Sequence, residues 1–141
     1  MSTQALIDRL ADPSFRQVGG AAEFGALADS APPAPCAFVL HLGDDAVTKE
    51  PFTSGLQLVA RMYGVILCVR NVRDAAGAAA AADLASFRGL LFDRLVGWEP
   101  FGGAEPLRFA RGRLLKFEAG VQWWQDDFLT SFYTSRPEAW A

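Results

Sequence analysis

The chain has 141 residues, of which 51% are hydrophobic and 21% are charged, and its formal net charge is −3. This length and composition predict a single globular domain over residues 1–141 and exclude a disordered chain. The negative charge argues against general nucleic-acid binding, which depends on clustered Lys and Arg. Residues 1–11 lack a signal-peptide pattern, and the apolar runs are too short to cross a bilayer. We therefore expect a protein made in the cytoplasm without membrane contact.

The first half of the chain predicts two short helices and two strands. Three prolines between residues 30 and 35 require a non-helical connector before the first strand. A segment of mixed charge over 43–54 separates the strands and predicts a long β-hairpin loop. The predicted elements, in order, are a helix over 2–11, an extended piece over 15–18, a helix over 21–29 and strands over 36–42 and 56–69.

The second half predicts the main helix and three further strands. Leu84, Phe87, Leu91 and Leu95 repeat at helical spacing within residues 78–96 and predict one apolar face. Gly97 is placed to end this helix in a left-handed turn. The remaining predicted elements are strands over 107–110, 113–117 and 121–133, and a flexible C-terminal tail over about 134–141.

This order of elements predicts an α+β fold, with a mostly antiparallel sheet, helices packed on one face and a long β-hairpin loop. A parallel α/β sheet would need a helix between each pair of strands, and most of those helices are missing.

Residue types suited to catalysis are present but scattered. His41 is the only histidine, and Cys36 lies on the same predicted strand with its side chain on the opposite face. Cys36 and Cys68 are expected to be reduced core cysteines, and a zinc site would need more ligands at shorter spacing. We therefore predict no catalytic residue, no cofactor and no metal site.

Paired acidic residues have structural explanations too. Asp126 and Asp127 are neighbours on a predicted strand, so their carboxylates point to opposite faces and cannot act on one substrate. Asp44 and Asp45 are expected to keep the predicted loop solvated.

Two places in the sequence indicate contacts with other proteins. The adjacent Trp123 and Trp124 cannot share one face of a strand, and exposed aromatic side chains often mark protein contacts. In the predicted hairpin loop, Val47 and Phe52 supply apolar anchors beside the charged Lys49. We predict that these five residues contribute to an interface with another subunit or with a tube.

The central segment and the end of the chain resemble a known family. Residues 63–77 read Tyr-Gly-Val-Ile-Leu-Cys-Val-Arg-Asn-Val-Arg-Asp-Ala-Ala-Gly, and residues 95–100 read Leu-Val-Gly-Trp-Glu-Pro. They are followed by Pro-Leu-Arg-Phe at 106–109, Gly-Arg-Leu-Leu at 112–115 and Gly-Val-Gln-Trp-Trp-Gln-Asp-Asp-Phe at 120–128. Over residues 36–133 this succession resembles the tail terminator proteins of long-tailed bacteriophages and related prophages.

The resemblance implies a structural protein of the virion tail that is not an enzyme. It implies a homohexameric ring on the last ring of the tail tube, which stops tube growth and joins the head-completion or connector proteins. DNA would only pass through the lumen, without sequence-specific binding. The alternatives left open are another head-to-tail connector or tube protein of the same fold, a small-ligand-binding α+β domain, and a small hydrolase that uses His41.

Overall fold

The computed structural model describes residues 2–27, 31–48, 55–70 and 78–134. Its sheet has the strand order β1-β2-β3-β5-β4; β1 pairs with β2 in parallel, and all other pairs are antiparallel. The predicted α+β class with a mostly antiparallel sheet is therefore confirmed. The elements are α1 (Ser2–Leu10), β1 (Gln17–Gly19), α2 (Ala21–Leu27), β2 (Cys36–Ala46), β3 (Gln57–Arg70), α3 (Ala78–Leu95), β4 (Arg108–Glu118) and β5 (Val121–Thr134).

Two hydrophobic cores lie on opposite faces of the sheet. The larger core joins α1 and α3 to the sheet, and Leu91 and Leu95 are fully buried in it, as the helical spacing predicts. Phe87 packs against the same core and is partly buried. The short α2 differs from the predicted placement of the helices on one face: it lies on the other face, where Phe24 and Leu27 cover the smaller core.

The smaller core contains both cysteines. Cys36 of β2 and Cys68 of β3 are directly opposite each other, and both are buried free thiols. A hydrogen bond between the two side chains lowers the pKa of Cys36, although burial opposes that shift; the same hydrogen bond and burial raise the pKa of Cys68. Their burial agrees with the expectation of reduced core residues.

The β2–β3 hairpin has longer strands than the sequence predicts. β2 continues to Ala46 because a bulge between His41 and Gly43 restores pairing with β3, so that Asp44 lies opposite Arg61. The predicted loop therefore begins only after the strand, and Val47 still donates a backbone hydrogen bond to Leu58.

The predicted strands 107–110 and 113–117 form one continuous strand, β4. Register shifts between Phe109 and Arg111 and between Leu114 and Lys116 interrupt its alternation without ending it. β5 includes Thr134, which pairs with Gln57; the rest of the predicted flexible tail lies outside the described residues.

Two turns depend on left-handed backbone conformations. Gly97 has φ of +85° after the last residue of α3, which confirms the predicted helix end. Ala119 (φ 52°) and Gly120 (φ 76°) form the two-residue turn between β4 and β5. The backbone twist of such a turn matches the right-handed twist of the two strands that it joins. The left-handed conformation is unfavourable for Ala119, because its Cβ lies too close to the following carbonyl oxygen.

No helix over the described parts of the chain is long and apolar enough to cross a membrane. Over the same parts, no three His, Cys, Asp or Glu residues are grouped so that they could hold a metal ion.

Candidate subunit interface

The buried carboxylates of β5 are held by arginines on opposite faces of the sheet. Asp126 accepts two hydrogen bonds from Arg88 of α3, at 2.9 and 3.0 Å, and one from Trp124 Nε1 at 2.9 Å. Asp127 accepts hydrogen bonds from Arg111 at 2.7 Å, Arg113 at 3.1 Å and Gln125 at 2.7 Å. The two carboxylates thus point apart, as predicted for neighbours on a strand, and each has partners of its own.

Burial and ion pairing oppose each other at Asp127. Burial alone would raise the pKa of Asp127, but the hydrogen bonds from Arg111, Gln125 and Arg113 outweigh it and hold the pKa below 3.8. The carboxylate therefore stays ionised at neutral pH and anchors β4 to β5.

The expectation that Asp44 only solvates a loop is wrong. Asp44 lies in β2 and accepts hydrogen bonds from the buried Arg61 at 2.8 and 3.1 Å, while His41 Nε2 is 2.8 Å from its Oδ1. Burial raises the pKa of Asp44, but the hydrogen bonds from Arg61 and His41 outweigh it, so the net shift is downward. The bulge in β2 brings this carboxylate over β3, which the sequence pattern did not reveal.

Trp123 and Trp124 lie on opposite faces of β5, and each is partly covered by its own chain. Phe24 of α2 packs edge-on against Trp123 at 6.4 Å, and Lys116 Nζ lies 4.6 Å from the centre of the same ring. The guanidinium of Arg88 lies 4.8 Å from the centre of the Trp124 ring. Both tryptophans keep an exposed fraction, so their part in an interface stays a prediction.

An open groove runs beside Trp123, between α2 and the β4–β5 hairpin. Its volume is about 370 Å³, and most of its wall is apolar. The groove is lined by Phe24, Gly25, Leu27, Leu115, Lys116 and Trp123.

Of the three predicted loop residues, only Val47 lies within the described residues. Val47 follows β2 directly and is 54% exposed. Lys49 and Phe52 lie outside the described residues. The three remain a predicted interface segment.

The most exposed apolar strand is β4, which the sequence analysis missed. Every residue of β4 except Gly112 is exposed, and four of the nine exposed large hydrophobic residues among those described belong to it. These four are Phe109, Leu114, Leu115 and Phe117. The missed signal is that the run from Arg108 to Glu118 carries apolar residues at both odd and even positions, so burying them all would require cover on both faces of the strand.

The other edge of the sheet is exposed over part of its length. β2 is buried from Cys36 to Val39, but from His41 onward it is exposed except at Asp44, with Leu42 at 41%. Val47 continues this exposed stretch. Two edges of one sheet thus carry apolar side chains facing solvent, which is typical of a surface that contacts another protein.

Comparisons with known proteins agree with this structure. A family model described as "Phage tail terminator protein" matches residues 1–139. A chain from a solved structure titled "Virion of native gene transfer agent (GTA) particle" superposes with a TM-score of 0.55 at 18% identity, covering 94% of this chain and 92% of that chain. A search of curated protein sequences gives no significant match. The chain belongs to the phage tail terminator protein family and is a structural protein of the virion tail.

Proposed function

We propose that this protein forms a closed ring of identical subunits, a hexamer, that caps the tail tube and ends its polymerisation. The opposite side of the ring joins the head-completion or connector proteins. The protein acts as an assembly element and has no catalytic activity of its own.

The family match over residues 1–139 carries this proposal, because it covers nearly the whole chain. The exposed apolar residues of β4 support it, since a monomer would leave them in water. Heterologous contacts that repeat between identical subunits form a ring when the rotation closes. DNA only passes through the lumen, and the net charge of −3 supports this because it gives no general attraction to phosphates.

Removing the protein from an otherwise complete set of tail proteins tests the proposal. Without the cap, tubes should keep growing, so electron micrographs should show a broad length distribution and no attached heads. Adding the purified protein should restore uniform tails. Tails of uniform length that join heads in its absence would contradict the proposal.

A tube or connector role of the same fold is the first alternative. A tube protein would be found all along the tail, whereas a terminator is found at one end. Gold-labelled antibody against this chain distinguishes the two by where the label lies on purified tails.

A small-ligand-binding domain is the second alternative, and the groove beside Trp123 favours it. Its volume of about 370 Å³ lies at the low end of the range for ligand sites. Binding of an apolar fluorescent dye to a stable monomer, abolished by Trp123→Ala, would favour this function over a ring.

A further inference from the structure

We propose that the ring closes by strand pairing between two different edges of the sheet. The first half of β4 in one subunit (Arg108 to Arg113) pairs with the second half of β2 in the next subunit (His41 to Ala46). This proposal rests on the proposed ring and names the surfaces that build it.

Both edges are open in the described part of the chain. β4 is the last strand of the sheet and pairs with β5 on its inner side only. On the other side, β1 covers β2 only at Cys36, Ala37 and Phe38. The backbone groups along two open edges are a template for pairing with another chain.

The strand directions allow these two edges to join in one continuous antiparallel sheet. β2 and β5 run in one direction, while β3 and β4 run in the other. When copies are related by rotation about an axis along the strands, β4 of one copy meets β2 of the next in opposite directions. The pairing then repeats at every interface without a change of sheet type.

The two open segments overlap in height at one end, where the start of β4 is level with Gly43 and His41 of β2. Arg108 is opposite Leu129, Leu129 is opposite Met62, and Met62 is opposite Gly43. Neighbouring copies at equal height therefore bring Arg108 within two residues of Asp45. Pairing the whole of Arg108 to Arg113 with His41 to Ala46 needs a stagger of three residues, about 10 Å along a strand, which strands tilted to the ring axis produce.

Charge favours this pairing of unlike edges. β4 carries the basic residues Arg108, Arg111, Arg113 and Lys116 against one acidic residue, Glu118. β2 carries Asp44 and Asp45 and no Lys or Arg. Asp127 pairs with Arg111 and Arg113, Arg61 with Asp44, and Lys116 with Glu118. Of the charged residues of β2 and β4, Arg108 and Asp45 are therefore the two that form no ion pair within the described part of the chain.

A two-fold pairing of β4 with β4 is less favourable. It would place the basic strand against itself, and like charges on facing strands repel. It would also end in a dimer, leaving the exposed half of β2 uncovered.

Cysteine cross-linking of the purified protein and of purified tails tests the geometry. The variants Arg108→Cys and Asp45→Cys, each alone, should give no cross-linked dimer with a short bismaleimide. A mixture of the two should give dimers, and the double variant should give a ladder up to the full ring. Dimers from Arg108→Cys alone would overturn the proposal in favour of two-fold pairing.

Charge exchange tests the same contact without cross-linker. Arg108→Glu and Asp45→Arg should each lower the fraction of assembled subunits about tenfold or more, because every interface repeats the repulsion. Their combination should restore assembly. Asp93→Arg, on the exposed side of α3, changes the net charge as Asp45→Arg does and should leave assembly unchanged.

The outcomes separate the two proposals. A ring that forms normally in the double cysteine variant without a ladder would overturn the edge pairing and leave the ring intact. If the protein remains a 15.2 kDa monomer both alone and in the presence of tails, the ring and the edge pairing are both overturned.

Discussion

Arg88 of α3 holds the fully buried carboxylate of Asp126 through two hydrogen bonds, at 2.9 and 3.0 Å. Without Arg88, the buried charge of Asp126 would keep only the hydrogen bond from Trp124. Breaking a buried ion pair by removing one partner typically costs about 3–5 kcal/mol. We expect Arg88→Met to lower the free energy of unfolding by roughly 3 kcal/mol, at the low end of that range, because the Arg88 side chain is 30% exposed and water can enter.

Urea denaturation of the Arg88→Met variant measures this loss. The double variant Arg88→Met with Asp126→Leu serves as the control, and it should recover part of the stability because no unpaired charge remains. A loss below about 0.5 kcal/mol in the single variant, the size of ordinary surface effects, would contradict the prediction.

Asp127 should contribute to acid denaturation. Its pKa in the folded protein lies below 3.8, so its ion pairs stabilise the fold in full above that pH. The contribution is lost as the pH falls through the lowered pKa, because protons then bind the folded carboxylate as well.

Comparing the wild type with Asp127→Asn from pH 6 to pH 2.5 isolates this contribution. The variant should be less stable at pH 6, and the difference in free energy of unfolding should shrink below about pH 4. A difference that stays constant with pH would show that the charge of Asp127 does not matter for stability.

Leu91 is fully buried between α3 and the sheet. Leu91→Ala should lower the free energy of unfolding by about 2–5 kcal/mol, since it removes buried methyl groups and leaves a cavity. Asp93→Ala, on the exposed side of the same helix, is the matched control, and thermal or urea unfolding measures both. Equal effects of the two variants would mean that the buried face of α3 is assigned wrongly.

Ala119 occupies a left-handed conformation in the turn between β4 and β5. A residue with a Cβ costs roughly 1–2 kcal/mol there, and glycine avoids that cost while losing more entropy on folding. Ala119→Gly should therefore raise the free energy of unfolding by about 0.5–1 kcal/mol. Gly120→Ala, next to it, should do the opposite, and urea denaturation of both variants checks the pair.

The segment after β2 should contact a partner outside its own subunit. Gln57 Nε2 donates a hydrogen bond to the Thr48 carbonyl, so the two strand ends are close enough for residues 49–56 to be replaced by an Asn-Gly turn. This deletion, which removes Lys49 and Phe52, should leave stability nearly unchanged and abolish attachment to tails.

Phe52→Ser at full loop length is the control for the deletion. If Phe52 is the apolar anchor, this single variant should weaken attachment in a tail-binding assay without unfolding the protein. Normal tail completion by the shortened protein would mean that the segment only connects two strands.

The sequence predicted those elements whose periodicity is regular. α3 keeps one apolar face from Leu84 to Leu95, and Gly97 follows at its end, so both were assigned correctly. β2 and β4 were assigned poorly because bulges interrupt their alternation at His41/Gly43, Phe109/Arg111 and Leu114/Lys116. A bulge changes which face the following residues occupy, and a single sequence gives no signal for it. The same bulges decide which side chains reach Asp44 and Asp127, so these ion pairs could not be predicted.

Asp126 and Asp127 also determine the register in which β5 can pair with its neighbouring strands. A slip of β5 by one residue would exchange the faces of both carboxylates, so that each would leave its arginines and enter the opposite face of the sheet. A slip by two would keep the faces but move each charge about 7 Å away from its partners. Buried ion pairs of this kind add little net stability, but a misaligned β5 would leave two buried charges without a partner. The adjacent aspartates therefore select one alignment of the central strands during folding.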